Sequence, residues 1–200
     1  MTPEEYMQIA IEEAKKGSGF TSPNPLVGAV LVKDGKIVGK DYHHKYGEFH
    51  AERNAILNCK EDLAGASLYV TLEPCCHYGK TPPCTQIIIE KGIEKVYIGS
   101  YDPNPKVNGG GIKQLKDAGI EVVTEVLKEE CDALNPVFFH YIEKKRTLRR
   151  FKICDDSRWK NCHKDRSFQM DYRRGGEKTC AVQPQNLQRD HGRDRNRVSR

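Results

Sequence analysis

Two short stretches must come together in space for this sequence to make chemical sense, and that limits its fold more than any other feature. They are His50-Ala51-Glu52 and Pro74-Cys75-Cys76-His77-Tyr78-Gly79-Lys80-Thr81-Pro82-Pro83-Cys84, about twenty residues apart. An imidazole nitrogen and two thiolates suit a tetrahedral zinc whose fourth position is left to water. Zinc lowers the pKa of a bound water from about 15.7 to roughly 7, so a hydroxide nucleophile is available at neutral pH. Glu52 stands two residues beyond a donor and is not needed as one, which leaves it to carry protons. Taken singly, His-x-Glu is more often a solvated helix start, and a cysteine pair is more often a structural zinc site or two buried thiols. The two together, in this order and at this spacing, favour a catalytic centre.

The flanking sequence supplies the elements that could hold such a centre. Thr2-Pro3-Glu4-Glu5 reads as an N-cap, a proline at the first helical position and acids in the first turn. Tyr6, Ile9, Ala10 and Ala14 then share one helix face, and Gly17-Ser18-Gly19 ends the helix. After the loop Thr21-Ser22-Pro23-Asn24-Pro25, the run Leu26 to Val32 is almost wholly apolar, as in a strand covered on both faces. Lys33-Asp34-Gly35-Lys36 is a hairpin turn, and Ile37-Val38-Gly39 starts the partner strand towards Tyr42 and His43.

His50 opens a helix of about ten residues in which Ala51, Ala55 and Ile56 can face the sheet. Ser67 to Leu72 is the third strand and runs straight into Pro74-Cys75, so a donor there is held by rigid elements. A helix is expected over Thr85 to Lys91, the fourth strand over Lys95 to Gly99, a helix over Ile112 to Ala118 and the fifth strand over Ile120 to Val123. A last helical stretch from Leu127 to Tyr141 is expected to break at Asn135-Pro136. A hairpin followed by alternating strands and helices predicts a three-layer α/β/α sandwich with a mixed five-stranded sheet. Functional loops in such sheets gather outside the strand ends. Here those loops carry Asn24, Cys75 to Cys84, and Asp102 to Asn104.

Composition narrows the function classes. Membrane-spanning apolar stretches and a secretory signal are absent from the sequence, so a cytoplasmic, reducing compartment is the expectation. In that setting the eight cysteines are expected to be ligands or thiols rather than disulfides. The net charge of +5 is unevenly placed. Residues 1 to 145 carry 17 Lys and Arg against 21 Asp and Glu, whereas residues 146 to 200 carry 16 against 7. An acidic first part argues against nucleic acid as its partner, although a basic tail alone would suggest one.

His-x-Glu followed by Pro-Cys is the signature of zinc deaminases acting on nucleobases. Residues 1 to 146 resemble, more narrowly, the deaminase domain of the bifunctional riboflavin-biosynthesis deaminase–reductase, within a cytidine-deaminase-like fold. The resemblance rests on Thr21 to Ala29, His50-Ala51-Glu52, Leu72-Glu73-Pro74-Cys75 through Cys84, and Asp102-Pro103-Asn104-Pro105. The stretch Gly79 to Cys84 fits this family better than cytidine, tRNA-adenosine or guanine deaminases. It also accounts for the eight residues between Cys75 and Cys84, where the common spacing is Cys-x-x-Cys. One departure is Cys76, where the family usually has serine.

The resemblance implies hydrolytic deamination of 2,5-diamino-6-(ribosylamino)pyrimidin-4-one 5′-phosphate at ring position 2. It implies Zn2+ on His50, Cys75 and Cys84, with Glu52 as the proton shuttle. It also implies Asn24, His43, His77, Lys80, Asp102 and Asn104 near the base, ribose and phosphate. Lys80 suits a phosphate as a point charge, although Asp and Asn before proline are also ordinary turn formers. The expected partner is this small pyrimidine ribosyl phosphate, with no nucleic acid and no membrane, and a homo-oligomer is left open.

Two other classes stay open at this level: a nucleoside or tRNA deaminase, and a non-catalytic zinc or nucleic-acid-binding module. Cys154, Cys162, His163, Cys180 and His191 in the tail match no common finger spacing. The relatives continue into a nicotinamide-dependent reductase domain near Arg146-Thr147, where this chain turns basic, polar and aperiodic. Residues 147 to 200 are therefore expected to be a disordered tail without reductase activity. A shifted reading frame accounts for it. Lys152 to Lys160, back-translated with chosen codons and read one base later, gives KYAMTLDG, which resembles the start of the reductase domain. Two matches are forced whatever the codons: Trp159-Lys160 gives Gly, and Met170-Asp171 gives Trp. Gene codons incompatible with the shifted string would exclude this.

Overall fold

The computed structural model describes residues 1–104 and 107–144, together with the backbone of two short strands at Gln169–Met170 and Cys180–Ala181. The chain divides into two units, Met1–Leu148 and Arg149–Arg200. In the second, Gln169 lies opposite Ala181 and Met170 opposite Cys180 in an antiparallel pair. The expectations for residues 147 to 200, including the disordered tail, the shifted frame and the tail cysteines, otherwise lie outside the described residues.

The first unit opens with helix α1, Pro3–Lys15, whose Thr2 and Glu5 form a reciprocal capping box with Pro3 in the first turn. Strands β1, Gly28–Lys33, and β2, Lys36–Tyr42, follow as a hairpin. Next come α2, Ala51–Asn58, β3, Ser67–Leu72, α3, Cys84–Glu90, and β4, Lys95–Ser100. Helix α4, Gly110–Asp117, β5, Glu121–Val123, α5, Lys128–Leu134, and α6, Pro136–Lys144, complete it. The sheet runs β2-β1-β3-β4-β5. Strand β1 is antiparallel to both neighbours, while β3, β4 and β5 are parallel. The expected mixed five-stranded sandwich is observed.

Two clusters show why the sheet needs both covers. Ala29, Leu31, Leu68, Val70, Val96 and Ile98 meet Ala51, Ala55 and Ile56 of α2, Ile87 and Ile88 of α3, and Leu115 of α4. On the other face Val30, Val32 and Tyr69 meet Tyr6, Met7, Ala10 and Ile11 of α1 and Cys131 of α5. Each fully buried Leu or Ile side chain contributes roughly 1.5–3 kcal/mol, so the central strands are the stiffest part of the molecule. Gly28 lets α1 lie against the start of β1, because a Cβ there would come within 2.0 Å of the Ala10 carbonyl oxygen.

Several boundaries differ from the sequence expectation, and three of them have a visible reason. Strand β1 starts at Gly28 rather than Leu26, because Leu26 is bonded to a side chain instead of a strand. Its N–H donates to Asn135 Oδ1 at 2.7 Å, and its carbonyl accepts from Asn135 Nδ2 at 2.8 Å. Helix α3 starts at Cys84, one residue early, since the Cys84 and Thr85 N–H groups bond back to Cys75. Helix α2 is shorter than expected, ending where Cys59 turns extended. The break at Asn135-Pro136 separates α5 from α6 as expected. Among the described residues, no helix is long and apolar enough to cross a membrane.

Candidate active site

The edge between sheet and helices delivers three donor atoms to one point. His50 is the N-cap of α2, with extended backbone, and its side chain takes no part in capping. Its imidazole is thereby left to face Cys75, beyond the end of β3, and Cys84, the first residue of α3. His50 Nδ1 lies 3.4 Å from Cys75 Sγ and 3.5 Å from Cys84 Sγ. All three donor atoms lie within 4.8 Å of one another. Tetrahedral zinc with Zn–S of about 2.3 Å and Zn–N of about 2.0 Å sets an N···S edge of about 3.5 Å, so the three residues fit that ion.

The charge state of the trio points the same way. A hydrogen bond from the Cys84 thiol, with His50 beside it, holds Cys75 below the ordinary thiol range. The bond to Cys75 and burial push Cys84 well up, and the bond to Cys75 raises His50. Metal ligands of this kind must be deprotonated, and a cation would replace the protons on these groups.

Glu52 is in the first turn of α2 and is buried at 3 % exposure. Its Oε2 has no hydrogen-bond partner among the described residues, and burial pushes its carboxyl up to about 7. A buried carboxyl group that titrates near neutrality and keeps an unspent oxygen suits proton transfer. His50 and Glu52 line a cleft of about 250 Å³, together with Cys75.

The residues expected around the substrate also line this cleft, Asn24, His43, His77, Lys80, Asp102 and Asn104, whereas Cys84 is buried behind it. Their settings differ. His43 is buried, with Nδ1 at 3.0 Å from the Phe49 carbonyl and Nε2 at 3.1 Å from Asn24 Nδ2. Its ring meets that of His50 edge-on at 5.4 Å, and burial lowers its pKa. Asp102 accepts the Asn104 N–H at 2.8 Å, and burial pushes its carboxyl up to about 6. His77 Nδ1 is buried without a hydrogen-bond partner among the described residues. Lys80 is exposed at the rim, with its ammonium 4.0 Å from the centre of the Tyr46 ring. Cys76 is half-buried, and the donor cluster consists of Cys75 and Cys84 with His50.

Several supporting residues were given no role from the sequence. Glu73, buried between β3 and Cys75, accepts N–H groups from Gly109 at 3.0 Å, Gly111 at 3.0 Å and Ile112 at 3.2 Å. It caps α4 and ties the Asp102 loop to the cysteine loop; its own N–H bonds to Ser100 across β4. Gly111 permits this, since a Cβ there would come within 2.1 Å of the Pro74 carbonyl oxygen. Asn54 donates to the Tyr42 and Phe49 carbonyls, which folds the loop before His50. Arg53 reaches the Pro83 carbonyl at 3.4 Å, with its guanidinium 5.6 Å from the Phe49 ring. Phe138 of α6 forms part of the cleft wall. The one sequence signal available was an acid at the buried end of a strand, Leu72-Glu73-Pro74.

Comparison with known proteins agrees with this geometry. Residues 1–100 match the family described as the cytidine and deoxycytidylate deaminase zinc-binding region. The riboflavin biosynthesis protein RibD of Actinobacillus pleuropneumoniae is 65% identical over 146 residues, covering 73% of this chain and 39% of the relative. The diaminohydroxyphosphoribosylamino-pyrimidine deaminase of Buchnera aphidicola subsp. Schizaphis graminum is 50% identical over 134 residues, covering 67% of this chain and 91% of the relative. A crystal structure from Thermotoga maritima, a diaminohydroxyphosphoribosylaminopyrimidine deaminase/5-amino-6-(5-phosphoribosylamino)uracil reductase, superposes with a TM-score of 0.70 at 53% identity. It is matched over 72% of this chain and 42% of its own. The chain thus spans about two fifths of the bifunctional relatives and nearly all of the Buchnera deaminase.

Proposed function

Because the chain belongs to the cytidine and deoxycytidylate deaminase family, and within it to the riboflavin-biosynthesis deaminases, we propose that it hydrolytically deaminates 2,5-diamino-6-(ribosylamino)pyrimidin-4-one 5′-phosphate at ring position 2. The observation that carries this reading is the buried Glu52 carboxyl, with its Oε2 unpartnered among the described residues, beside a zinc-compatible donor set of which His50 and Cys75 line the same cleft as Glu52.

His50, Cys75 and Cys84 would hold the metal. When bound, zinc supplies a water activated at neutral pH and positive charge for developing oxygen charge. Glu52 accepts one proton of the attacking water on its carboxylate and passes it to the ring nitrogen; it then takes the second proton from the new hydroxyl and gives it to the amine, so that ammonia leaves as the carbonyl forms and the carboxylate is restored. Burial that brings this carboxyl to about 7 lets it both take and return a proton near neutral pH.

Asn24, His77, Asp102 and Asn104 line the loop-built part of the cleft, where they can orient the base and ribose. Lys80 at the rim would hold the 5′-phosphate, an anion that favours the solvent-open end of the site. The small, loop-lined cleft and the acidic charge of residues 1 to 145 favour a small phosphorylated ring over tRNA.

Glu52→Gln tests the assignment. The amide keeps the size of the side chain but cannot shuttle the proton. Turnover is expected to fall by about 10²–10⁴-fold, with zinc content and substrate binding retained. Undiminished turnover would remove Glu52 from the mechanism.

A further inference from the structure

The pair Asn24–His43 lines the cleft, but its two members are not equivalent. His43 Nδ1 lies 3.0 Å from the Phe49 carbonyl oxygen, and a carbonyl only accepts, so Nδ1 carries the proton. In the neutral imidazole the other nitrogen, Nε2, is then an acceptor. Its partner at 3.1 Å is Asn24 Nδ2, which donates. Fixing the NH2 of an amide also fixes its oxygen. Asn24 Oδ1 makes no hydrogen bond to another described residue and is left for whatever occupies the cleft.

The chain of bonds is anchored at both ends. Phe49 immediately precedes His50, and its carbonyl also accepts from Asn54 Nδ2 at 3.3 Å. At the other end, Leu26 is held on both its N–H and its carbonyl by the buried Asn135 amide. The Asn24 N–H itself bonds to the Thr21 carbonyl at 2.8 Å. Asn24 therefore sits on a loop fixed by backbone bonds, and its side chain is turned by His43. Neither ring nitrogen of His43 is left for substrate.

We infer that His43 is a positioning residue that holds the Asn24 amide with its oxygen towards the cleft, so that the site reads a hydrogen-bond donor of the substrate, an amine or a hydroxyl, at that point. A flipped Asn24 would offer an NH2 instead and would reject that donor. Leaving either group unpaired in the cleft opposes binding. The nature of the substrate rests on the deaminase reading above; the orientation of the amide does not.

The orientation is tested first without substrate. In the 15N-labelled, zinc-loaded full chain, correlation of the His43 ring nitrogens with their ring protons is expected to show a protonated Nδ1 and a bare Nε2. A proton on Nε2 would overturn the inference, whatever the enzyme acts on. Kinetics then test the consequence. His43→Ala is expected to raise KM by about three- to tenfold, the loss of one oriented hydrogen bond, with zinc content unchanged and kcat much less affected. His43→Gln offers an oxygen where Nε2 stood and is expected to recover most of that loss. A merely structural role predicts no such rescue, and equal KM values for the two variants would contradict the inference. A deoxyribose form of the substrate separates the donors. A KM penalty in the unaltered chain that vanishes in Asn24→Ala assigns a hydroxyl; a penalty unaffected by that change assigns an amine.

Discussion

The cleft has an inner and an outer part, and they are built differently. The inner part, His50, Glu52 and Cys84, sits on the first residues of α2 and α3 or at their N-cap, with Cys75 bonded to the start of α3. These helices press Ala51, Ala55, Ile87 and Ile88 into the main core, so the donors are fixed by packing. The outer part, Asn24, His77, Lys80, Asp102 and Asn104, lies on connecting loops, where Asn24 and Asp102 are oriented by individual hydrogen bonds and Lys80 by the Tyr46 ring. The difference separates two tasks. Metal geometry has to be held within a few tenths of an ångström, which a packed core can do. Substrate recognition is set by loops whose side chains can be turned by a single partner.

Substitutions should divide along that line. The largest effect is expected at Cys84→Ala, which removes a donor held in the core. Zinc measured by metal analysis should fall from about one per chain to near zero, and turnover with it, since three protein ligands are the minimum for such a site. Cys76→Ser is the control, because Cys76 stands outside the donor cluster; zinc and turnover should persist. Undiminished zinc in Cys84→Ala would transfer the role to Cys76 and break the division.

Glu73→Gln should come next. Glu73 accepts from three N–H groups at the start of α4, and an amide NH2 would face a donor on one side. A loss of about 1–3 kcal/mol in a urea titration is expected. The kinetic effect should fall on KM more than on zinc content, because α4 follows the Asp102 loop. Equal loss of zinc would mean that Glu73 belongs to the inner part.

Lys80→Ala should produce a smaller, more selective effect. Its ammonium is exposed, so the expected rise in KM for the phosphorylated substrate is about tenfold. The dephosphorylated analogue should be little affected. Equal effects on both would place Lys80 against the base or in loop packing.

The same division governed what could be read from the sequence. The inner part was legible because zinc chemistry demands particular residue types at short spacing, and His-x-Glu and Pro-Cys satisfy it in a line of text. The core strands were legible because burial on both faces leaves an apolar run such as Leu26 to Val32. The outer supports were not. Asn135 reads as a helix break before Pro136, and it is one, yet its amide also clamps Leu26 across 109 residues and shortens β1. Glu73 stands as an acid at the end of an apolar strand, but nothing local reveals that three N–H groups will converge on it. His43 was expected near the substrate and lines the cleft, but nothing in the sequence shows that its two ring nitrogens bond to Phe49 and Asn24. Long-range hydrogen bonds leave no periodicity in sequence, so residues that act through them become visible in the fold alone.

The central claim, a zinc site performing hydrolytic deamination, is tested most directly by following ammonia release from the diaminopyrimidine ribosyl phosphate while zinc is removed and returned. The purified full chain should carry about one zinc per molecule and release ammonia. It should lose that activity on chelation and recover it when zinc is restored. Ammonia release that continues in the zinc-free chain, or a zinc-loaded chain that releases none from this substrate, would contradict the account.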